Sequence, residues 1–123
     1  MIKWIIFCIL AGVNIHTMGQ ISEIKLQDRY ARIYNDKQYS GKSVYLGSDK
    51  ELAGFNSKYL VVIDGENARI YDENGVYTGH LIRLGTDKYV KNVTPTNILI
   101  VEGNMTRYYD YTGTYTGRYT SGK

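Results

Sequence analysis

Three arginine–tyrosine pairs recur along this chain: Arg32 with Tyr34, Arg69 with Tyr71 and Arg107 with Tyr109. A guanidinium and a phenol two residues apart stack as cation and ring, and together they recognise carboxylates, peptide groups and sugar hydroxyls. A base also follows a glycine three times, as Lys42, His80 and Arg118. These groups bind; they do not break bonds. The only cysteine is Cys8, and beyond the N-terminal segment the only histidine is His80, which leaves no thiol nucleophile and no histidine-based metal site. His80 takes the place held elsewhere by Lys42 and Arg118, as a surface cation would.

The carboxylates give no better case for an enzyme. Asp64, Glu102, Asp72 and Asp110 fall at equivalent turn positions, not as a facing pair set for glycosidic hydrolysis. Asp72-Glu73-Asn74-Gly75 lacks the alternating acids of a calcium loop. Gly113 and Gly117 precede no helix that could turn its N-terminus to a phosphate. We therefore expect no catalytic residue, no metal and no cofactor. The candidate residues are binding groups: Arg32, Tyr34, Arg69, Tyr71, Arg107, Tyr109, Lys42, His80 and Arg118.

What positions them is a tandem repeat. Arg69-Ile70-Tyr71-Asp72-Glu73-Asn74-Gly75-Val76-Tyr77-Thr78-Gly79 returns as Arg107 to Gly117 and, one residue shorter, as Arg32 to Gly41. A period of this length marks one supersecondary unit stacked on its neighbours. Leu60-Val61-Val62-Ile63 and Ile98-Leu99-Ile100-Val101 are continuous apolar runs, predicted as core strands, and Asp64-Gly65 and Glu102-Gly103 then turn the chain. Ile21 to Leu26 is a degraded first copy. The next strand alternates strictly, which puts the arginine and tyrosine of each repeat on one side of a sheet. Asp72 and Asp110 open turns that Gly75 and Gly113 close, while Asn35 stands in a first copy without that glycine. A third strand carries Gly41, Gly79 or Gly117 inside it, the mark of a bulge. Weaker fourth strands run near Leu52 to Phe55 and Tyr89 to Val93.

At the N-terminus Lys3, the apolar run Trp4 to Val13 and Thr17-Met18-Gly19 predict a secretory signal over residues 1–19. A lipid anchor on Cys8 is the alternative, but Ile5-Ile6-Phe7 lacks the small residues expected before it. One β-repeat domain over 20–123 follows, secreted or periplasmic, with no membrane contact after cleavage. The chain has 15 basic and 12 acidic residues, interspersed, so no nucleic-acid footprint is visible. All 13 tyrosines fall in the domain, suiting thin sheets in which rings are half-buried.

The repeat resembles a blade of the NHL-type β-propeller family. Val61-Val62-Ile63-Asp64, Asn67-Ala68-Arg69-Ile70-Tyr71-Asp72 and Gly75 carry the likeness, and Tyr-Asp-x-x-Gly is also similar to tyrosine-aspartate repeats. Counting the strands gives an all-β, antiparallel meander of about 11 short strands in three tandem repeats, and the resemblance implies that it is an incomplete propeller-like stack. A β-trefoil-like body is the alternative. The expected role is a non-enzymatic module that associates with a protein partner or with itself; a carbohydrate-binding module is the second expectation.

Overall fold

The computed structural model describes residues 20–123, all of them strand, turn or loop. The signal assignment over residues 1–19, Cys8 included, lies outside them. The strands are β1 (Glu23–Gln27), β2 (Tyr30–Asn35), β3 (Gln38–Tyr45), β4 (Lys50–Phe55), β5 (Tyr59–Asp64), β6 (Asn67–Asp72), β7 (Tyr77–Arg83), β8 (Lys88–Val93), β9 (Ile98–Glu102), β10 (Met105–Tyr109) and β11 (Tyr115–Ser121). They form three antiparallel sheets, β1-β2-β3, β4-β5-β6-β7 and β8-β9-β10-β11, and none closes into a barrel. The architecture is the open meander stack, not the trefoil-like body. Sheets and sequence repeats are offset by one strand, since each weak fourth strand pairs with the core strand that follows it.

Period two splits β5 between two cores. Leu60 and Val62 join Ile21, Ala31, Ile33, Val44 and Leu46 between the first and second sheets. Val61 points the other way and joins Ala68, Ile70, Ile82 and Leu84, which meet Ile98 and Ile100 of the third sheet. Leu60, Val61, Val62 and Ile70 are all 0% exposed. Burying each such side chain contributes roughly 1.5–3 kcal/mol, so the middle sheet, buried on both faces, holds the stack together.

The two outer faces carry different residues at the same register. Glu23 and Lys25 of the first sheet lie opposite Tyr34 and Arg32, where the second sheet has Leu60 and Val62 and the third Ile98 and Ile100. On the far face of the third sheet, Thr106, Tyr108 and Thr120 occupy the places of Ala68, Ile70 and Ile82. Stacked repeats need terminal units with a polar outer side. At these positions the two outer faces therefore carry polar side chains and tyrosines where the inner faces are mostly aliphatic.

Close approach also differs between the sheets. A Cβ on Gly54 would lie 2.7 Å from Val93 Cγ2, so glycine there lets β4 and β8 come together; the equivalent residue of the third sheet is Asn92.

The first repeat turns differently, at Asp36-Lys37 where it lacks the turn glycine of the other copies and also at Asp28-Arg29. Asp28 and Arg29, then Asp36 and Lys37, have φ of 53°, 69°, 51° and 71°, the only non-glycine positive values among the described residues. Both are two-residue hairpin loops of the type that favours Asn-Gly or Asp-Gly. A side chain in this region costs roughly 1–2 kcal/mol, and glycine loses about 0.5–1 kcal/mol in chain entropy. Lys37→Gly, giving Asp-Gly, is expected to raise stability by roughly 0.5–1 kcal/mol in urea denaturation.

Candidate binding surfaces

Each arginine sits mid-strand beside a carboxylate and a tyrosine ring. Arg69 Nε is 3.3 Å from Asp64 Oδ2 and its guanidinium is 5.2 Å from the Tyr77 ring. Arg107 repeats this with Glu102 Oε1 at 3.6 Å and Tyr115 at 5.1 Å. Both Nε atoms are buried without an aligned hydrogen bond, so charge and stacking hold these groups. Arg32 reaches Asp28 across the hairpin at 3.7 Å and lies 5.6 Å from the rings of both Tyr30 and Tyr39.

The three pairs share a side of their own sheets, but they lie on three different layers. Tyr71 packs into the core between the first and second sheets, so the Arg69 side faces backwards onto the first sheet. Tyr109 likewise packs between the second and third. Only Arg32 and Tyr34 stand on an outer face. There they join Tyr39, Tyr30 and Tyr45, with Tyr30 and Tyr45 centred 5.0 Å apart, Tyr34 and Tyr39 5.6 Å apart, and Lys25 Nζ 4.6 Å from the Tyr34 ring. Tyr45 is 52% and Tyr39 43% exposed. Sequence reading missed Tyr30, Tyr39, Tyr45 and Lys25; which copy of the repeat would be left uncovered is a property of the stack.

Lys42, His80 and Arg118 belong to the opposite side, which in the first two sheets faces the next layer. Each follows a glycine in a bulge: the register shifts between Ile33 and Tyr34, Arg69 and Tyr71, and Arg107 and Tyr109. Gly41, Gly79 and Gly117 take φ of 83°, 90° and 90° there. The hydroxyl before the glycine stitches the bulge. Thr78 Oγ1 donates to the Ile70 carbonyl at 2.7 Å and accepts the His80 N–H at 3.2 Å; Thr116 does the same with Tyr108 and Arg118. Ser40 accepts the Lys42 N–H at 3.0 Å. A repeated Ser/Thr-Gly-base tripeptide is the signal that would have revealed this.

Onto the bulged strands β3 and β7 docks the Asp-x-x-Gly turn of the next repeat. Asp72 Oδ1 accepts the N–H groups of Asn74 and Val76, and Asp110 Oδ1 those of Thr112 and Thr114. Gly75 then sits against the Ser43 carbonyl and Gly113 against that of Leu81. The hydrogen bond from the Thr112 hydroxyl, followed by those from backbone N–H groups and by the charge of His80, holds the Asp110 carboxyl below its ordinary value of 3.8. The stability this lends is present above about pH 3.8 and is lost as pH falls through the lowered folded value. Asp110→Asn is expected to flatten the acid limb of stability between pH 4 and 2, read by urea denaturation at each pH.

Tyr111 adds a second clip between these layers. Its ring stacks on Tyr59 at 4.7 Å and 8°, and its hydroxyl donates to the carbonyls of Thr94 and Asn97. Asn56 Nδ2 donates to the same Thr94 carbonyl at 3.1 Å. Burial pushes the phenol up to about 12 from 10.0. Its contribution is complete below pH 10 and is lost as pH rises towards 12, because only the unfolded chain ionises in that window. Tyr111→Phe is expected to lower stability at pH 7 while removing much of this alkaline loss, seen by near-UV circular dichroism against pH.

A cleft of about 320 Å³ opens between the second and third sheets, with Ala53, Ile63 and Leu84 at its apolar side and Glu51, Lys88 and Tyr89 among its polar lining. Among the described residues no three His, Cys, Asp or Glu side chains gather as a metal site. No protein-family model, curated protein or solved structure matches the chain.

Proposed function

We propose that this protein is an exported, non-enzymatic β-repeat module that mediates protein association, secreted or held in the periplasm. The observation that carries the reading is the outer face of the first sheet, where Tyr30 and Tyr39 flank Arg32, Tyr45 lies beside Tyr30, and all three rings remain exposed. Tyrosine and arginine are the residues that dominate protein interfaces, because a rigid ring and a planar fork bury area at little entropic cost. The equivalent arginines and tyrosines of the other two sheets already meet a protein surface, that of the preceding layer.

The test is cross-linking and affinity capture from envelope extracts with the native protein and with Arg32→Ala/Tyr45→Ala. Partner capture should fall at least tenfold in the double variant, with circular dichroism unchanged. Capture that is absent, or indifferent to these residues, rejects the reading. The paired exposed rings of Tyr30 and Tyr45 also favour a second reading, a carbohydrate-binding surface. On a glycan array that reading requires a signal lost on Tyr45→Ala.

A further inference from the structure

Two of the three bulged strands receive a turn, and among the described residues the third does not. The segment Ser40–Ser43 receives the turn closed by Gly75, and Thr78–Leu81 the turn closed by Gly113. Thr116–Tyr119 of β11 has the same build: the Thr116 hydroxyl bonds the Tyr108 carbonyl at 2.7 Å and the Arg118 N–H at 3.2 Å, and Gly117 has the φ of Gly79. Among the described residues no turn covers it. Arg118 lies 4.1 Å from the ring of Tyr108, with no carboxylate partner among the described residues, and Tyr119 is 57% exposed.

We infer that Thr116–Tyr119 is a docking slot for an Asp-x-x-Gly β-turn presented by a partner polypeptide. The two filled slots define the ligand. In the slot filled by the Gly113 turn, Asp110 feels the charge of His80, the base that follows the bulge glycine; in both filled slots the turn glycine seats against a strand carbonyl, whose counterpart here is that of Tyr119. Lys91 shares this face and no acidic residue occupies the core-equivalent positions beside it, so charge favours an acidic turn. A second copy of the chain is a poor donor. Both of its Asp-x-x-Gly turns are already seated, its first repeat turns through Asp36-Lys37 alone, and Asn92 stands where Gly54 admits the next layer.

The inference takes the association reading as its basis but uses the opposite end of the stack. The probe is a disulfide-cyclised hairpin bearing Tyr-Asp-Glu-Asn-Gly-Val-Tyr, titrated into the ¹⁵N-labelled protein. Amide shifts should be confined to Tyr108 and Thr116–Thr120. Affinity should fall at least tenfold with Arg118→Glu, an exposed change whose folding circular dichroism checks, and equally when the hairpin aspartate becomes alanine. No shifts at millimolar hairpin, shifts mapping elsewhere, or indifference to the aspartate overturn the proposal. So does Arg118-dependent binding of a sulfated polysaccharide without hairpin binding. If hairpin binding fails while capture through Arg32 and Tyr45 persists, the slot is rejected and the association reading stands.

Discussion

Gly113→Ala is expected to lower the melting temperature more than alanine at any other turn glycine among the described residues, with Gly75→Ala close behind. Both glycines hold positive φ, 81° and 77°, where a side chain costs roughly 1–2 kcal/mol. Each also touches the preceding layer: a Cβ would lie 2.5 Å from the Leu81 carbonyl oxygen at Gly113 and 2.8 Å from that of Ser43 at Gly75. These neighbours are backbone and cannot rotate away, so the layers must part, at a further cost of roughly 1–3 kcal/mol. A total of about 3 kcal/mol corresponds to roughly 12–24 °C for a domain of this size. Gly103→Ala is the control. Its φ is 61° and nothing lies within 4 Å, so only the conformational part is expected. Equal losses at Gly103 and Gly113 in thermal melts would refute the docked turn.

Removing the polar cap of the third sheet is expected to change the state of association. Lys91→Ala, Thr106→Ala, Tyr108→Ile and Thr120→Ile together give the outer face of the third sheet the residues with which the second sheet covers its neighbour. At roughly 25 cal/mol per Å² an uncovered face of this kind drives sheets together, and exposed apolar patches of several hundred Å² rarely persist on monomers. Light scattering should find the native protein unchanged on concentration into the hundred-micromolar range, and the fourfold variant in dimers or larger species. A fourfold variant that stays monomeric would show that the outer residues are not what limits the stack.

How much of this was legible beforehand follows from the range of each interaction. Strand order, the turn glycines and the bulges depend on residues a few positions apart, so Asp64-Gly65, Gly79 and the alternation through Arg69-Ile70-Tyr71 were readable directly. The arginine–tyrosine pairs were readable as pairs but not as a surface. Period two fixes which side of a strand Arg69 takes, yet whether that side meets water or Ala31 and Ile33 of another sheet depends on stacking order. The same holds for Asp72 and Asp110, read as local turn residues; their turns are also the contacts between layers, and that contact spans more than thirty residues of chain.

By itself, then, the sequence determined the repeat: three hairpin units, their turns, and the face on which each side chain would lie, because backbone sterics and period-two geometry act locally. Only the tertiary structure decided which copies of a face are covered. Arg69 and Arg107 fall between layers while Arg32 and Arg118 stand at the two ends, because burial is set by what packs across a sheet, and no local rule in the chain specifies that.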